Sequence, residues 1–248
     1  MHAMLVPVAF ATVLSAWAAP AGAITVTYAN FAQSTNAKLF RYARQGPGAG
    51  TGNRLYTTAE GSAAAGEIAV DFRYLVDMPP ALQGIQAAFL SFDASTTETL
   101  TVNGDTSSQG GFSGTVSIRR AVPLNGQDNL LTINFGNATL FSLQGSGAAT
   151  YTIAIPAGGS FMSQTSAFLD FGTVMAADFA LSFSALTPKF QGEHGGYGES
   201  FRANATGTFA SSPPPSVVPE PETWALLITG FGLVGYAARR RAGTRALA

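Results

Sequence analysis

At 248 residues, with 46% hydrophobic and only 11% charged side chains, the chain is too weakly charged for a disordered polyelectrolyte and long enough to close a core unaided. It has no cysteine, which excludes disulfides, thiolate nucleophiles, Fe–S clusters and Cys-ligated zinc together. Four of the 13 basic residues crowd into the last ten positions, so residues 24–210 hold nine Lys and Arg against twelve Asp and Glu, a net of −3 that gives no electrostatic footprint for nucleic acid.

Residues 1–23 read as a signal peptide. An apolar stretch from Leu5 to Ala19 precedes Pro20 and an A-x-A cleavage site at Ala21 and Ala23. The stretch is shorter than the roughly 20 residues of a spanning helix. No Lys or Arg precedes it, leaving the amino terminus and His2 in the usual basic position, and a misassigned start codon would explain that. Such a leader engages the Sec translocon.

From Ile24 to Ala210 alternation dominates, with no amphipathic helix. Ile68, Val70, Phe72, Tyr74 and Val76 fall on one face of a strand, with Ala69, Asp71, Arg73 and Asp77 on the other. Thr97–Val102 alternates and runs into Asn103-Gly104, a hairpin signal, and Asn125-Gly126 marks a second turn between Thr115–Val122 and Leu130–Phe135. Further strands are expected at 24–28, 38–42, 85–92, 139–143, 151–155, 168–171, 179–183 and 201–209. About eleven short strands broken by Gly, Pro, Asn and Ser predict an all-β fold, an antiparallel β-sandwich of jelly-roll-like form.

Candidate chemistry is sparse. Once the leader is removed His194 is the one histidine, in the segment Gln191-Gly192-Glu193-His194-Gly195-Gly196-Tyr197-Gly198-Glu199. No serine stands in a nucleophile elbow, and Ser200 has no supporting motif. Glu193, His194 and Glu199 are conceivable metal ligands, but glycine-rich surroundings argue for a solvated loop. The remaining acids are scattered singly, without the paired carboxylates that glycoside hydrolysis needs. The glycine-rich stretch 45–53 lacks the Lys-Ser/Thr pair of a phosphate-binding loop. Tyr28, Tyr42, Tyr56 and Tyr197 are candidates for a carbohydrate-stacking platform, though nothing in the sequence places them together, and Thr97, Thr99 and Thr101 make one short threonine row, too small an area for an ice-binding face and read by default as solvated strand positions. Asn137-Ala138-Thr139 and Asn204-Ala205-Thr206 match the glycosylation sequon and read as turn residues. The expectation is no catalytic set, no metal site and no cofactor.

The C-terminal end carries the most specific signal. Ser211–Ser216 is a Pro/Ser-rich stretch of the kind that forms extended linkers. Pro219-Glu220-Pro221 then precedes Trp224-Ala225, an apolar run to Ala238 and the cluster Arg239-Arg240-Arg241. Fifteen apolar residues make a helix of about 22 Å, short against a hydrocarbon core of about 30 Å. The arginines should stay cytoplasmic, which puts the body outside.

These residues resemble the PEP-CTERM sorting signal in its PEPxxWA form. The resemblance implies recognition by exosortase, a membrane-embedded transpeptidase that cuts near the PEP element, and delivery to the envelope or extracellular polymer matrix of a Gram-negative bacterium. The same signature also bears a label taken from ice-binding proteins, which describes the tail and transfers nothing to the body. Segments 111–118, 168–171, 179–184 and 200–210 are similar to a β-rich domain found ahead of such tails, a group with no assigned activity.

The expected organisation is a signal peptide at 1–23, a β-sandwich at 24–210, a linker at 211–218 and a sorting tail with one hydrophobic helix at 219–245. The expected function is non-catalytic binding or scaffolding by an exported protein, transiently anchored in the inner membrane, with extracellular polysaccharide as candidate partner. A secreted polysaccharide hydrolase is the alternative, and ice binding a third.

Overall fold

A computed structural model describes residues 25–44, 52–155, 161–193 and 195–218. Among them there is no α-helix, only a single 3-10 turn at Pro80–Leu82. The strands are β1 (Val26–Gln33), β2 (Phe40–Ala43), β3 (Asn53–Thr57), β4 (Ile68–Tyr74), β5 (Ile85–Thr96), β6 (Thr101–Asn103), β7 (Thr106–Leu124), β8 (Gln127–Leu143), β9 (Ala149–Ile155), β10 (Phe161–Thr165), β11 (Leu169–Asp170), β12 (Ala176–Thr187), β13 (Phe201–Ser212) and β14 (Ser216–Val217). Period-two burial drives them, most plainly in β4, where Ile68, Val70, Phe72 and Tyr74 are buried and Ala69, Asp71 and Arg73 exposed. Asn125 and Gly126, both at positive φ (51° and 78°), make the tight turn between β7 and β8.

The ladders close into a ring. Every pairing is antiparallel, and the circuit runs β1–β4–β5–β7–β8–β9–β12–β13 and back to β1. Strands that follow one another in this circuit also follow in sequence, apart from short insertions, so the order is an up-and-down meander. This differs from the jelly-roll-like sandwich expected from strand spacing. Alternation and turn signals are the same for both architectures. What decides closure is the pairing of β1 with β13, Val26 opposite Ser211 and Ala32 opposite Thr206, which joins the two ends of the domain.

The interior is packed with rings. Phe92 on β5 reaches across to Phe179 on β12, with centroids 6.4 Å apart, and also meets Phe135 at 6.0 Å and Tyr151 at 5.5 Å. Phe179 stacks on Phe209 at 5.2 Å. These aromatics are fully buried, as expected of alternating phenylalanines.

Between β5 and β13 the wall is built from two stacked strand pairs. One half is β4 and β1; the other is β3 and β2, which pair β5 at Asn53–Tyr56 and β13 at Phe40–Tyr42. The seam between the halves leaves backbone groups of both long strands without a ladder partner. On β5, the Phe92 N–H donates to Thr57 Oγ1 (3.0 Å), and that hydroxyl donates on to Phe92 O (3.4 Å). On β13, the Ala205 N–H donates to Gln33 Oε1 (2.6 Å), while Gln33 Nε2 donates to Ala37 O (3.0 Å). Two side chains thus replace missing strand.

Several local expectations change. Thr97 and Thr99 lie beyond the end of β5, and only Thr101 belongs to a strand, so the threonines form no flat row. Both sequons sit within strands, at β8 and β13, and Asn137 adopts positive φ (62°) there. The stretch expected as a linker is docked on the body. β13 continues past Ala210 to Ser212, Pro215 is buried, β14 pairs with β11, and the Val218 N–H donates to Phe168 O (3.0 Å). Proline content sets local backbone shape, but whether such a segment lies free depends on the surface beside it. Ala21 and Ala23, and the tail residues Pro219, Glu220, Pro221, Trp224, Ala225 and Arg239–Arg241 with their expected helix, lie outside the described residues.

Candidate functional site

The barrel has two unlike ends. Val26, Ser212, Ile85, the β7–β8 turn and Ala176 mark the end from which the tail leaves. At the other end the segment 190–199 starts from the buried Phe190 and lies against the buried Leu100.

That segment is glycine-rich yet firmly held. The Gly145 N–H donates to Phe190 O (2.7 Å), and the Phe190 N–H to Ser146 O (2.8 Å). The Gln144 amide imitates a strand partner: Nε2 donates to Gly192 O (2.7 Å) and Oε1 accepts from the Gly192 N–H (3.2 Å). Gly192 bridges Gly198, the Glu199 N–H donates to Gln191 O (2.7 Å), and Leu100 exchanges hydrogen bonds with Gly195 and Gly196. Gly192 is there for close approach, and Gly195 for its positive φ (74°). A Cβ on Gly192 would lie 2.5 Å from Leu100 Cδ2 and 3.0 Å from Gly198 Cα. Glycine content alone reads as a solvated loop; the backbone bonds make it a fixed surface.

Tyr42, fully buried, packs against this segment at Gly198. Its hydroxyl donates to Gln109 Oε1 (2.7 Å), and its ring stacks on Phe201 at 5.2 Å. Burial pushes the phenol well above the usual tyrosine range, against the opposing effect of hydrogen bonds to Gln109 and to the Gly198 backbone, so it stays neutral and donating at any physiological pH.

Against the same segment lies a polar cleft of about 360 Å³, lined by Arg44, Gln144, Gln191, Glu193, Tyr197 and Glu199, among others. The Arg44 guanidinium stands 5.9 Å from the centre of the half-buried Tyr197 ring. Its backbone is placed by the Arg44 N–H donating to Ser200 Oγ (2.8 Å). A larger hollow of about 490 Å³ on the outer wall, around Phe141 and Leu143, contains no charged side chain. The smaller cleft therefore has the richer chemistry, with two carboxylates, one guanidinium, two amides and an aromatic face.

Of the residues singled out from sequence, Glu193, Tyr197 and Glu199 come together here. His194 lies outside the described residues. Tyr28, Tyr42 and Tyr56 are buried, so the four tyrosines form no platform. Among the described residues no three of His, Asp and Glu gather as a metal-binding group. Sequence reasoning missed Arg44, Gln144 and Gln191. Arg44 meets this segment across 156 residues of chain, and no local pattern reports such a meeting.

The family model for the PEP-CTERM protein-sorting motif matches residues 217–241. No curated protein and no solved structure matches the chain. The motif implies an exported protein, anchored through its C-terminal end before processing by exosortase, a membrane enzyme. By its C-terminal motif, the chain is a PEP-CTERM protein.

Proposed function

We propose that this barrel is a non-catalytic binding module, delivered by its tail to the cell surface or extracellular matrix, that holds extracellular polysaccharide in the Arg44–Tyr197 cleft. Sec export through residues 1–23 and insertion of the hydrophobic helix at 219–245 belong to the same reading. The observation that carries it is a preformed polar cleft at the end of the barrel away from the tail. An aromatic face beside amides and one guanidinium suits a sugar, whose rings offer apolar faces and whose hydroxyls both donate and accept.

Affinity electrophoresis of the mature protein through neutral glucans and uronate-containing polysaccharides tests this. At least one polymer will retard the protein, and Tyr197→Ala will weaken retardation about tenfold or more, the usual effect of truncating an aromatic anchor. A neutral ligand will tolerate Arg44→Gln, whereas a uronate ligand will not. Equal retardation of Tyr197→Ala and the parent would move the ligand elsewhere.

One observation favours the hydrolase as a second reading: Glu193 and Glu199 share the cleft, and two carboxylates across a groove are the requirement for glycoside hydrolysis. Release of reducing ends by the parent, lost in both Glu193→Gln and Glu199→Gln, would replace binding by catalysis. Binding without release is the outcome expected here.

A further inference from the structure

The exposed apolar side chains are distributed unevenly. Among the described residues nine large hydrophobics are exposed, and six of them lie at the tail end: Val26, Leu75, Ile85, Val122, Met175 and Val218. Strand register places them. Val26 pairs with Ser211, Ile85 with Arg73, and the Met175 N–H donates to Ser212 O (3.0 Å). Val122 lies near the β7–β8 turn and is 72% exposed, Ile85 is 68% and Met175 88%. Isolated exposed hydrophobics need no explanation, but their concentration on the rim where both chain ends emerge does.

The chain outside the described residues says what that rim faces. Val218 is fixed to the body through its N–H, directly after the β11–β14 ladder at Ser216 and Val217. From Val218 to Trp224, where the apolar run begins, the chain reaches at most about 20 Å. The headgroup zone on one side of a bilayer takes up about 6 Å of that reach. A body tethered so closely, with its tether docked instead of loose, has little freedom to turn this end away.

We propose that the rim carrying Ile85, Val122 and Met175 is a membrane-contact surface, and that the barrel of the anchored protein rests on the lipid bilayer with its cleft pointing outward. Near this rim Arg73 is outnumbered by Asp77 and Asp128, so no excess of positive charge draws it to lipid. Its contact is apolar and survives high salt. The contact orients the body while the motif directly after Val218 is presented to the membrane enzyme, and after cleavage the rim loses its tether.

The absence of cysteine makes the test direct. Ile85→Cys, Val122→Cys and Met175→Cys, with Leu143→Cys as the distant reference, are each labelled with an environment-sensitive fluorophore. The full chain is reconstituted in phosphatidylcholine–phosphatidylglycerol vesicles and tail-inserted protein is recovered by flotation. The three rim labels will shift to the blue and be quenched by spin-labelled lipid, at low salt and at 1 M salt alike, and the Leu143 label will show neither. Rim labels as solvent-exposed as the reference would overturn the proposal. So would shielding that grows with protein density but escapes lipid quenching, which would make the rim a contact between copies of the chain. Since no polysaccharide is present, failure of the cleft reading leaves this result untouched.

Discussion

Replacing Phe92 by alanine will lower the unfolding free energy of the mature protein by about 3–5 kcal/mol, the range for truncating a buried phenylalanine. The value will fall in the upper part of that range, because the vacated space cannot close. Phe92 meets Phe40 at 5.9 Å, Phe135 at 6.0 Å, Tyr151 at 5.5 Å and Phe179 at 6.4 Å, rings that project from four different strands. Those strands are hydrogen-bonded on both sides within the ring of ladders, so inward movement of any one strains two neighbours. Loss of the edge-on contact with Tyr151 adds to the cavity term, by about 0.5–1.5 kcal/mol. For a domain of this size the midpoint of thermal unfolding should fall by roughly 6–20 °C. Tyr151→Phe is the control. The Tyr151 hydroxyl is buried without a hydrogen-bond partner, so its removal will leave stability unchanged or raise it. A loss below about 1 kcal/mol for Phe92→Ala would mean that the barrel repacks and is not the rigid enclosure described.

What the sequence made legible follows from what each signal measures. Period-two alternation reports burial of one strand face, and it is read correctly in β4. Turn chemistry reports local backbone: Asn125-Gly126 closes the β7–β8 hairpin, while the β6–β7 turn falls one residue past the Asn103-Gly104 signal, at Gly104-Asp105. Three strands escaped: β3, β10 and, within the stretch expected as a linker, β14. β10 exposes or half-exposes every residue, so it has no buried face to create a pattern. β3 opens with a buried Asn53 and buries Leu55, Tyr56 and Thr57 in succession, which breaks the alternation. β7 and β8 run for 19 and 17 residues, but positive φ at Gly111 and Asn137 bends them where the sequence reads as an end. The cleft was half legible. Its glutamates and Tyr197 lie within one short segment, whereas Arg44 and Gln144 arrive through ring closure. The tail stood out because its parts lie in order along a single stretch. The docking of residues 216–218 did not, because its partner, β11, is two residues long.

The seam leads to the second large effect. Thr57→Val will destabilise the mature protein by about 2–4 kcal/mol, since two buried backbone groups each lose their one partner. Valine matches threonine in shape, so packing around the site is retained and the hydroxyl alone is removed. That hydroxyl accepts from the Phe92 N–H and donates to Phe92 O, at the point where β4 has ended opposite Leu90 and β3 ends opposite Asp93. No other strand can supply these bonds, because β7 occupies the opposite side of β5. Thr57→Ser keeps the hydroxyl and gives up one methyl, which costs about 1 kcal/mol. The ordering parent, then serine, then valine separates a hydrogen-bonding role from a packing role, for which serine would be the worse variant. Denaturant titration gives the order, and hydrogen exchange locates it: the Phe92 amide should lose protection in the valine variant while its ladder neighbours keep theirs. If valine proves as stable as the parent, the seam is satisfied by something other than Thr57. The same reasoning would then have to be given up for Gln33 and Ala205 on the facing strand.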